Sequence, residues 1–377
     1  MLNQLLESLP EVDAYRSYHT RLAPLSWYFG RSMYLETYWL RAVVQADAEM
    51  TERVRPFFSQ DASSAEASRQ LPPKDHLLNW ALELQDENLM RLANPGLLGK
   101  HPLVCDQRLH QIILQEHARN YEKMLMVLTQ RTLMEHPVSQ VERPLMAQLP
   151  EQEMVEVSRG HYRIGTRQDP AAYDNEEPAQ IVELSAFRIQ LTPVANSAWL
   201  AFMQEGGYNS RELWSNEGWF WRQQEAAHPD HWRQDRSGNW YAVGLNGPFQ
   251  LIADEPVSGI SRYEAEAFTN WLSKRSDFFS GAVLQHEFQW EIAARLRKIR
   301  GYGRVWEWCS NLFQPYENYC PPEYSEGRTH DFDNRHFSLR GACLHTQHCL
   351  KRPSFRNRAH AGERYHFAGI RLVFPPE

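Results

Sequence analysis

In the segment RGACLHTQHCLKRP, Cys343, His345, His348 and Cys349 lie within seven positions of one another. Thiolate and imidazole together make a competent set for zinc, iron or copper. The spacing matches no tight metal loop, and on a strand Cys343, His345 and Cys349 would share a face while His348 would not. Free core or surface thiols are the expected role, with metal binding the alternative. Around and just after this segment, Arg352, Arg356, Arg358, Arg364 and Arg371 crowd the C-terminal end. A planar guanidinium fork suits the carboxylates of an amino-acid or γ-glutamyl substrate; structural pairing with Asp331, Asp333 or Glu363 is the competing role. The loop FDNRH offers Asp333, Asn334 and Arg335, which turn formation alone would explain. There is no G-x-S-x-G elbow, no P-loop and no G-x-G-x-x-G after a strand, so hydrolase, NTPase and dinucleotide chemistries lack their usual support.

The chain that must position these groups has 377 residues, 42% hydrophobic and 23% charged, enough to bury a full core and to form about two domains. Lys plus Arg number 40 against 47 Asp plus Glu, a net charge of -7, and no basic block is long enough to track a phosphate backbone. Nucleic acid is excluded as an expected partner. No stretch approaches the roughly 18 uncharged apolar residues of a membrane span, and no basic n-region precedes an apolar run. A soluble, cytoplasmic protein without membrane contact is expected. Five cysteines without paired short spacing fit reduced thiols better than a disulfide framework.

Composition changes near residue 140. Before it, apolar residues recur at helical spacing through LLESLPEVDAYRSYHTRL, SMYLETYWLRAVVQ, DHLLNWALELQDENLMRL and RLHQIILQEHARNYEKMLMVLTQ, which predicts an antiparallel four-helix bundle over 1–140 with a longer crossover at FFSQDASSAEASRQLPPK. Residues 141–152, with prolines among polar residues, read as the linker. From 153 to 377, short alternating segments such as MVEVSRGHYRIG and AQIVELSAFRIQ predict strands. Helices are expected at PVANSAWLAFMQEGG, at SRYEAEAFTNWLSKRS with Ser261 and Glu264 as a capping box, and at HEFQWEIAARLRKI. Trp290, Trp306 and Trp308 are expected as core anchors. The fold class is α+β.

The ordered set HYRIG, YDNEEPAQIVELSAFRI, TPVANSAWLAFMQEGGY, ELWSNEGWFW, HPDHW, EPVSGISRYEAEAFTNWLSKR, LQHEFQWEIAAR, GRVWEWCSN, FDNRHFSLRGA, FRN and HFAGIRLV resembles the formylglycine-generating enzyme, or sulfatase-modifying factor, superfamily over about 155–375. Within it the chain looks like the ergothioneine-biosynthesis sulfoxide synthases. The resemblance implies a C-type-lectin-like C-terminal domain joined to a DinB-like N-terminal bundle, with any active cleft between them.

It also implies a mononuclear Fe(II) cofactor, held by three histidines, that uses oxygen to join a cysteinyl thiol to a histidine-derived imidazole. The early motif, similar to W-H-x-x-H-x-x-W-F-x-E, here reads WYFGRSMYLE: Tyr28 and Arg31 take the histidine positions while Trp27 and Glu36 remain. The later H-x-x-x-H-x-E reads HARNYEK, with His117 kept, Tyr121 in place of the second histidine and Lys123 in place of the glutamate. An arginine cannot ligate iron. One expectation is a degenerate, metal-free cleft holding a small amino-acid-like molecule or a protein partner, with Arg31 and Lys123 supplying positive charge. The other is an active iron enzyme using His117 with His110 and Tyr121 as unusual ligands. Arg352, Arg356, Arg364 and Asp333 are the expected substrate-binding residues. The resemblance further places an acid-donating tyrosine after VWEWCSN, with Tyr316 as the candidate, Tyr319 as its neighbour and Phe313 as a possible occupant of that position. Ala342, Cys343 and Leu344 stand where the family reads G-S-W.

Overall fold

The computed structural model describes residues 1–59, 70–225, 227–324, 326 and 332–376. The first half is helical: α1 (Leu2–Glu7), α2 (Glu11–Tyr15), α3 (Leu25–Thr37), α4 (Glu49–Phe58), α5 (Lys74–Ala93), α6 (Pro102–Cys105) and α7 (Arg108–Glu135), with a π-helical turn (Tyr38–Val44) prolonging α3. The stretch expected as one helix over 2–19 is instead two short helices. Pro10 separates them, because its ring removes an N–H and disfavours helical backbone at Leu9. The second helix starts at Leu25 directly after Pro24, one turn and more before the apolar repeat that marked it. Helix α4 was not anticipated, although Met50, Val54, Phe57 and Phe58 recur along it at helical spacing and pack against the core. Every residue of α3 is buried. Gly30 lets α4 approach, since a Cβ there would sit 2.2 Å from the Phe58 ring. Most of the expected crossover, residues 60–69, lies outside the described residues.

The second half holds thirteen short strands among the described residues. MVEVSRGHYRIG supplies β1 (Met154–Val157) and β2 (Gly160–Ile164), and AQIVELSAFRIQ supplies β3 (Gln180–Leu184) and β4 (Phe187–Gln190). After them come β5 (Trp232–Gln234), β6 (Trp240–Gly244), β7 (Gly247–Gln250), β8 (Val283–Leu284), β9 (Trp306–Leu312), β10 (His336–Arg340), β11 (Asn357–His360), β12 (Ala368–Gly369) and β13 (Leu372–Phe374). They pair as β1-β4-β13-β8, β11-β10-β9-β12, the hairpin β2-β3 and the meander β5-β6-β7. Helices α8 (Asn196–Gln204), α9 (Asn216–Arg222), α10 (Arg262–Leu272) and α11 (Glu287–Arg295) pack around them. The Ser261 and Glu264 capping box forms in both directions. The unanticipated α9 starts where the Ser215 hydroxyl accepts from Gly218 N–H. Trp290, Trp306 and Trp308 are fully buried, and each indole N–H donates to an acceptor: Glu307 at 3.0 Å, Glu122 at 2.6 Å and the Ile260 carbonyl at 2.9 Å. The molecule is α+β. No helix among the described residues is long and apolar enough to cross a membrane, and all five cysteines are free thiols.

Helix α7 joins the halves. Its Glu122 accepts from Trp306 and from the Thr346 hydroxyl at 2.5 Å, its Glu116 accepts from Tyr173 at 2.9 Å, and its Gln130 donates to Asp230 at 2.8 Å.

Candidate functional site

The groups singled out as metal ligands are not gathered. His117 on α7 bonds Glu36 of α3 at 2.8 Å through Nε2, and the same carboxylate accepts from Asn88 at 3.0 Å. Two of the three residues read as retained from the family's motifs, Glu36 and His117, therefore hold each other. His110 is exposed, and Tyr121 is half-buried against the core. Tyr28 is buried with its oxygen accepting from Ala23 N–H at 3.3 Å; burial pushes its hydroxyl up to about 12, which disfavours a phenolate. Arg31 donates to the Phe58 carbonyl at 2.6 Å and pairs across the two halves with Glu326 at 3.3 Å. Among the described residues no three His, Cys, Asp or Glu side chains are placed to hold an ion. These residues do not fit a three-histidine ferrous centre: one imidazole is hydrogen-bonded to a carboxylate, and the other positions carry a phenol, a phenol of raised pKa and a guanidinium. Cys343, His345, His348 and Cys349 are not gathered either. Cys343 is buried against the Thr346 hydroxyl at 3.3 Å, His345 lies beside Phe367, and His348 is exposed.

The expected substrate-binding arginines are already occupied. Arg356 forms a bidentate pair with Glu287, both bonds 2.8 Å, and donates to the carbonyls of Asn175 and Gln314. Arg352 forks onto buried Glu176, and Arg364 pairs with Glu225 at 3.0 Å and donates to the His228 carbonyl. Arg371 grips Glu307 through two 2.9 Å bonds. Each of these arginines is paired with a carboxylate of the fold. Tyr316 is buried in a separate core cluster with Ile164 and Val373, under the Arg356 guanidinium, and its hydroxyl reaches Glu291 at 3.4 Å. Burial raises its pKa. Phe313 stacks on Phe332, and Tyr319 donates to Asp174. Asp333 closes its turn by accepting from the N–H groups of Arg335 and His336, and it also bonds His336 Nδ1 at 3.0 Å. It orients a lining residue rather than lining the cavity itself. Asp331 lies outside the described residues.

Between α7 and the β10-β11 edge lies a cavity of about 330 Å³. Arg119 and Lys123, one turn apart on α7, form one wall; Arg358 and His360, two apart on β11, form another. His336, the register partner of His360, has its ring centroid 3.9 Å from that of His360. Arg21 closes one side by pairing with Glu363 at 3.1 Å. Arg21, Arg119, Lys123, Arg358 and the carboxylate of Glu363 line the cavity together, and Arg119 also pairs with Glu116 at 3.4 Å. Burial pushes the Lys123 ammonium below its ordinary range; it lies 5.6 Å over the Tyr365 ring and, among the described residues, makes no ion pair. Glu363 is held well below the usual carboxylate range: burial opposes this, but His366, Lys123 and His360 outweigh it. His366 is 2% exposed, bonds Glu363 at 3.0 Å through Nε2, and leaves Nδ1 buried without a partner. Burial lowers its pKa to about 4, so it stands neutral. Arg21, Arg119, His336, His360 and His366 escaped the sequence reading. The one-turn spacing of Arg119 and Lys123 and the alternation of Arg358 and His360 were the available signals.

A family model described as a sulfatase-modifying factor enzyme 1-like domain matches residues 140–302. Residues 140–302 are thereby similar to a sulfatase-modifying factor domain. The chain is similar to hercynine oxygenase of Mycobacterium tuberculosis, 30% identical over 251 residues covering 55% of this chain and 56% of the relative. It is also similar to hercynine oxygenase of Mycolicibacterium thermoresistibile, 30% identical over 255 residues, 55% of this chain and 54% of the relative. The chain spans about half the length of these curated relatives. A structure of PvdO from Pseudomonas aeruginosa is 16% identical, with a TM-score of 0.44, covering 63% of this chain and all of that one.

Proposed function

We propose that this chain binds a small anionic, amino-acid-like molecule in the cavity between α7 and β10-β11, and does so without the three-histidine iron of the family it resembles. The observation that carries the reading is Lys123, a half-buried ammonium that lines that cavity and makes no ion pair among the described residues. Buried or half-buried charge is stable when matched, and a ligand carboxylate would match Lys123 and its neighbours. Glu363 offers the complementary partner for an α-ammonium group, and His366 Nδ1 offers one more polar contact. A small amino acid bearing an extra carboxylate satisfies all three.

The test is calorimetric titration of the full chain with L-glutamate, γ-glutamylcysteine and L-histidine. Binding of the first two is expected to weaken with added salt, and Lys123→Gln should lower their affinity about tenfold or more, the effect of one charge-assisted hydrogen bond. No saturable heat, or unchanged affinity in Lys123→Gln, rejects the proposal. The similarity to hercynine oxygenases favours a second reading, an oxygen-dependent iron enzyme with His117 among unusual ligands. It requires about one iron per chain after anaerobic reconstitution, lost in His117→Ala. Our reading expects far less iron, with no difference between parent and variant.

A further inference from the structure

A second cavity, of about 350 Å³, lies away from the cationic one, between the β5-β6-β7 meander and the side chains of Val305, Leu344, His345 and Phe367. Its walls are mainly apolar, with Trp232, Ala242 and Val243 buried behind it and Phe249, Ile252 and Leu344 exposed at its rim. Its two opposite charges, Arg304 and Glu255, are paired with each other. One buried polar group breaks the pattern. His231 is 6% exposed, and its Nε2 is buried without a hydrogen-bond partner.

The ring's orientation follows from its packing. Gly259, at φ +81°, lies against the opposite edge, for a Cβ there would fall 2.8 Å from Nδ1 and 2.9 Å from Cγ. Phe367 packs beside the ring with centroids 5.6 Å apart, and the His345 ring lies 4.5 Å from Phe367 on the same wall. The Nδ1 edge is thus closed by backbone, while His231 lines the cavity with its Nε2 left without a partner. Burial lowers the His231 pKa to about 4, so the ring is neutral and adds no charge.

We propose that this cavity is a binding site for an uncharged heteroaromatic ring whose nitrogen hydrogen-bonds His231 Nε2. An apolar chamber of this size takes a one- or two-ring ligand. The paired charges leave nothing for an ionic ligand to neutralise, and the lone buried nitrogen fixes where the ligand's polar atom must sit. A neutral imidazole nitrogen either donates or accepts, so an N–H ring and a pyridine-type ring are the two arms of the test.

Ligand-observed NMR titration of the full chain with indole, quinoline and naphthalene distinguishes them. Indole or quinoline should bind with a dissociation constant of about 1 mM or tighter, and naphthalene about tenfold more weakly, the loss of one hydrogen bond to a buried group. His231→Phe should abolish that difference while melting no lower than the parent, because it removes an orphaned polar atom. Ser258→Leu, which narrows the chamber and removes no described partner, should weaken all three probes. Lys123→Gln should leave the titrations unchanged, so failure here and failure of the anionic cleft are separable. Absence of binding by all three probes, or equal binding of naphthalene and the heteroaromatics to the parent, overturns the proposal.

Discussion

Two arginine-rich regions of this molecule use the same residue type for opposite purposes. In the C-terminal core, Arg340, Arg356 and Arg371 are essentially inaccessible and meet Glu287, Glu291 and Glu307 at 2.6 to 3.0 Å. Every positive charge there has its carboxylate. In the cavity beside α7, the Lys123 ammonium makes no ion pair among the described residues. A dehydrated ion without a partner costs several kcal/mol, so balance in the first region is a condition of folding. Imbalance in the second is tolerable because the cavity is open to water, and it leaves a place where an added anion stabilises the protein. Charge balance, not arginine density, separates a structural cluster from a site.

The largest expected effect tests the balanced cluster. Glu287→Ala leaves Arg340 and Arg356 buried with one partner removed, and should lower unfolding free energy by about 3–5 kcal/mol, read from urea midpoints. Burial alone would raise the pKa of Glu287, yet Arg356 and Arg340 hold it at about 2, below its ordinary 4.5. A depressed carboxyl contributes stability that is complete above 4.5 and is lost as pH falls toward 2. The parent should therefore lose stability across that window more steeply than Glu287→Ala. Lys123→Gln, in the unbalanced region, should weaken ligand binding and leave the urea midpoint no lower. If it unfolds the protein as Glu287→Ala does, the two regions are not different in kind.

What the sequence disclosed follows the same division. Helices α5 and α7, the strands flanking Ser158 and Ser185, and the Ser261 cap were legible because periodicity and capping are local properties. Helix α4 carries such a stripe too, at Met50, Val54, Phe57 and Phe58, but it is only ten residues long, contains Pro56 and runs into the polar crossover. Arg352, Arg356 and Arg364 were taken for ligand binders because their spacing shows charge without showing partners. Their carboxylates, Glu176, Glu287 and Glu225, lie from 69 to 176 positions away. The true lining of the cavity comes from segments around residues 21, 119–123, 336, 358–360 and 363–366, which only the tertiary fold assembles. The retained pair Glu36 and His117 was visible as a motif remnant, yet their mutual bond was not, since it joins helices 81 positions apart.

An intermediate effect is expected where the two regions meet. Glu122 ties α7 to Trp306 and Thr346, and Glu122→Ala should cost about 1–3 kcal/mol by leaving both donors unpaired. Burial raises the Glu122 pKa, and the hydrogen bonds from Thr346 and Trp306 offset this only in part. A raised carboxyl destabilises the fold progressively as pH climbs from the unfolded value through the folded one. Glu122→Gln should remove that loss. Melting temperatures from pH 4 to 8 check it: a parent and a Glu122→Gln variant with parallel profiles would mean the carboxyl is ionised at no extra cost, and the interface is wetter than its packing implies.

The smallest effect is the most discriminating. Tyr316→Phe removes a hydroxyl whose bond to Glu291 is long, at 3.4 Å, and keeps the ring beneath Arg356 at 4.1 Å, so the cation–π contact survives. A cost of about 0.5–1 kcal/mol is expected, with no change in glutamate affinity, because Tyr316 belongs to the balanced core and does not line the cationic cavity. Calorimetry on this variant decides whether the regions are independent. A tenfold loss of affinity, of order 1.4 kcal/mol, would mean that the Glu291 and Arg356 network reaches the ligand through β10 and β11, and that charge balance in one region is set by occupancy of the other.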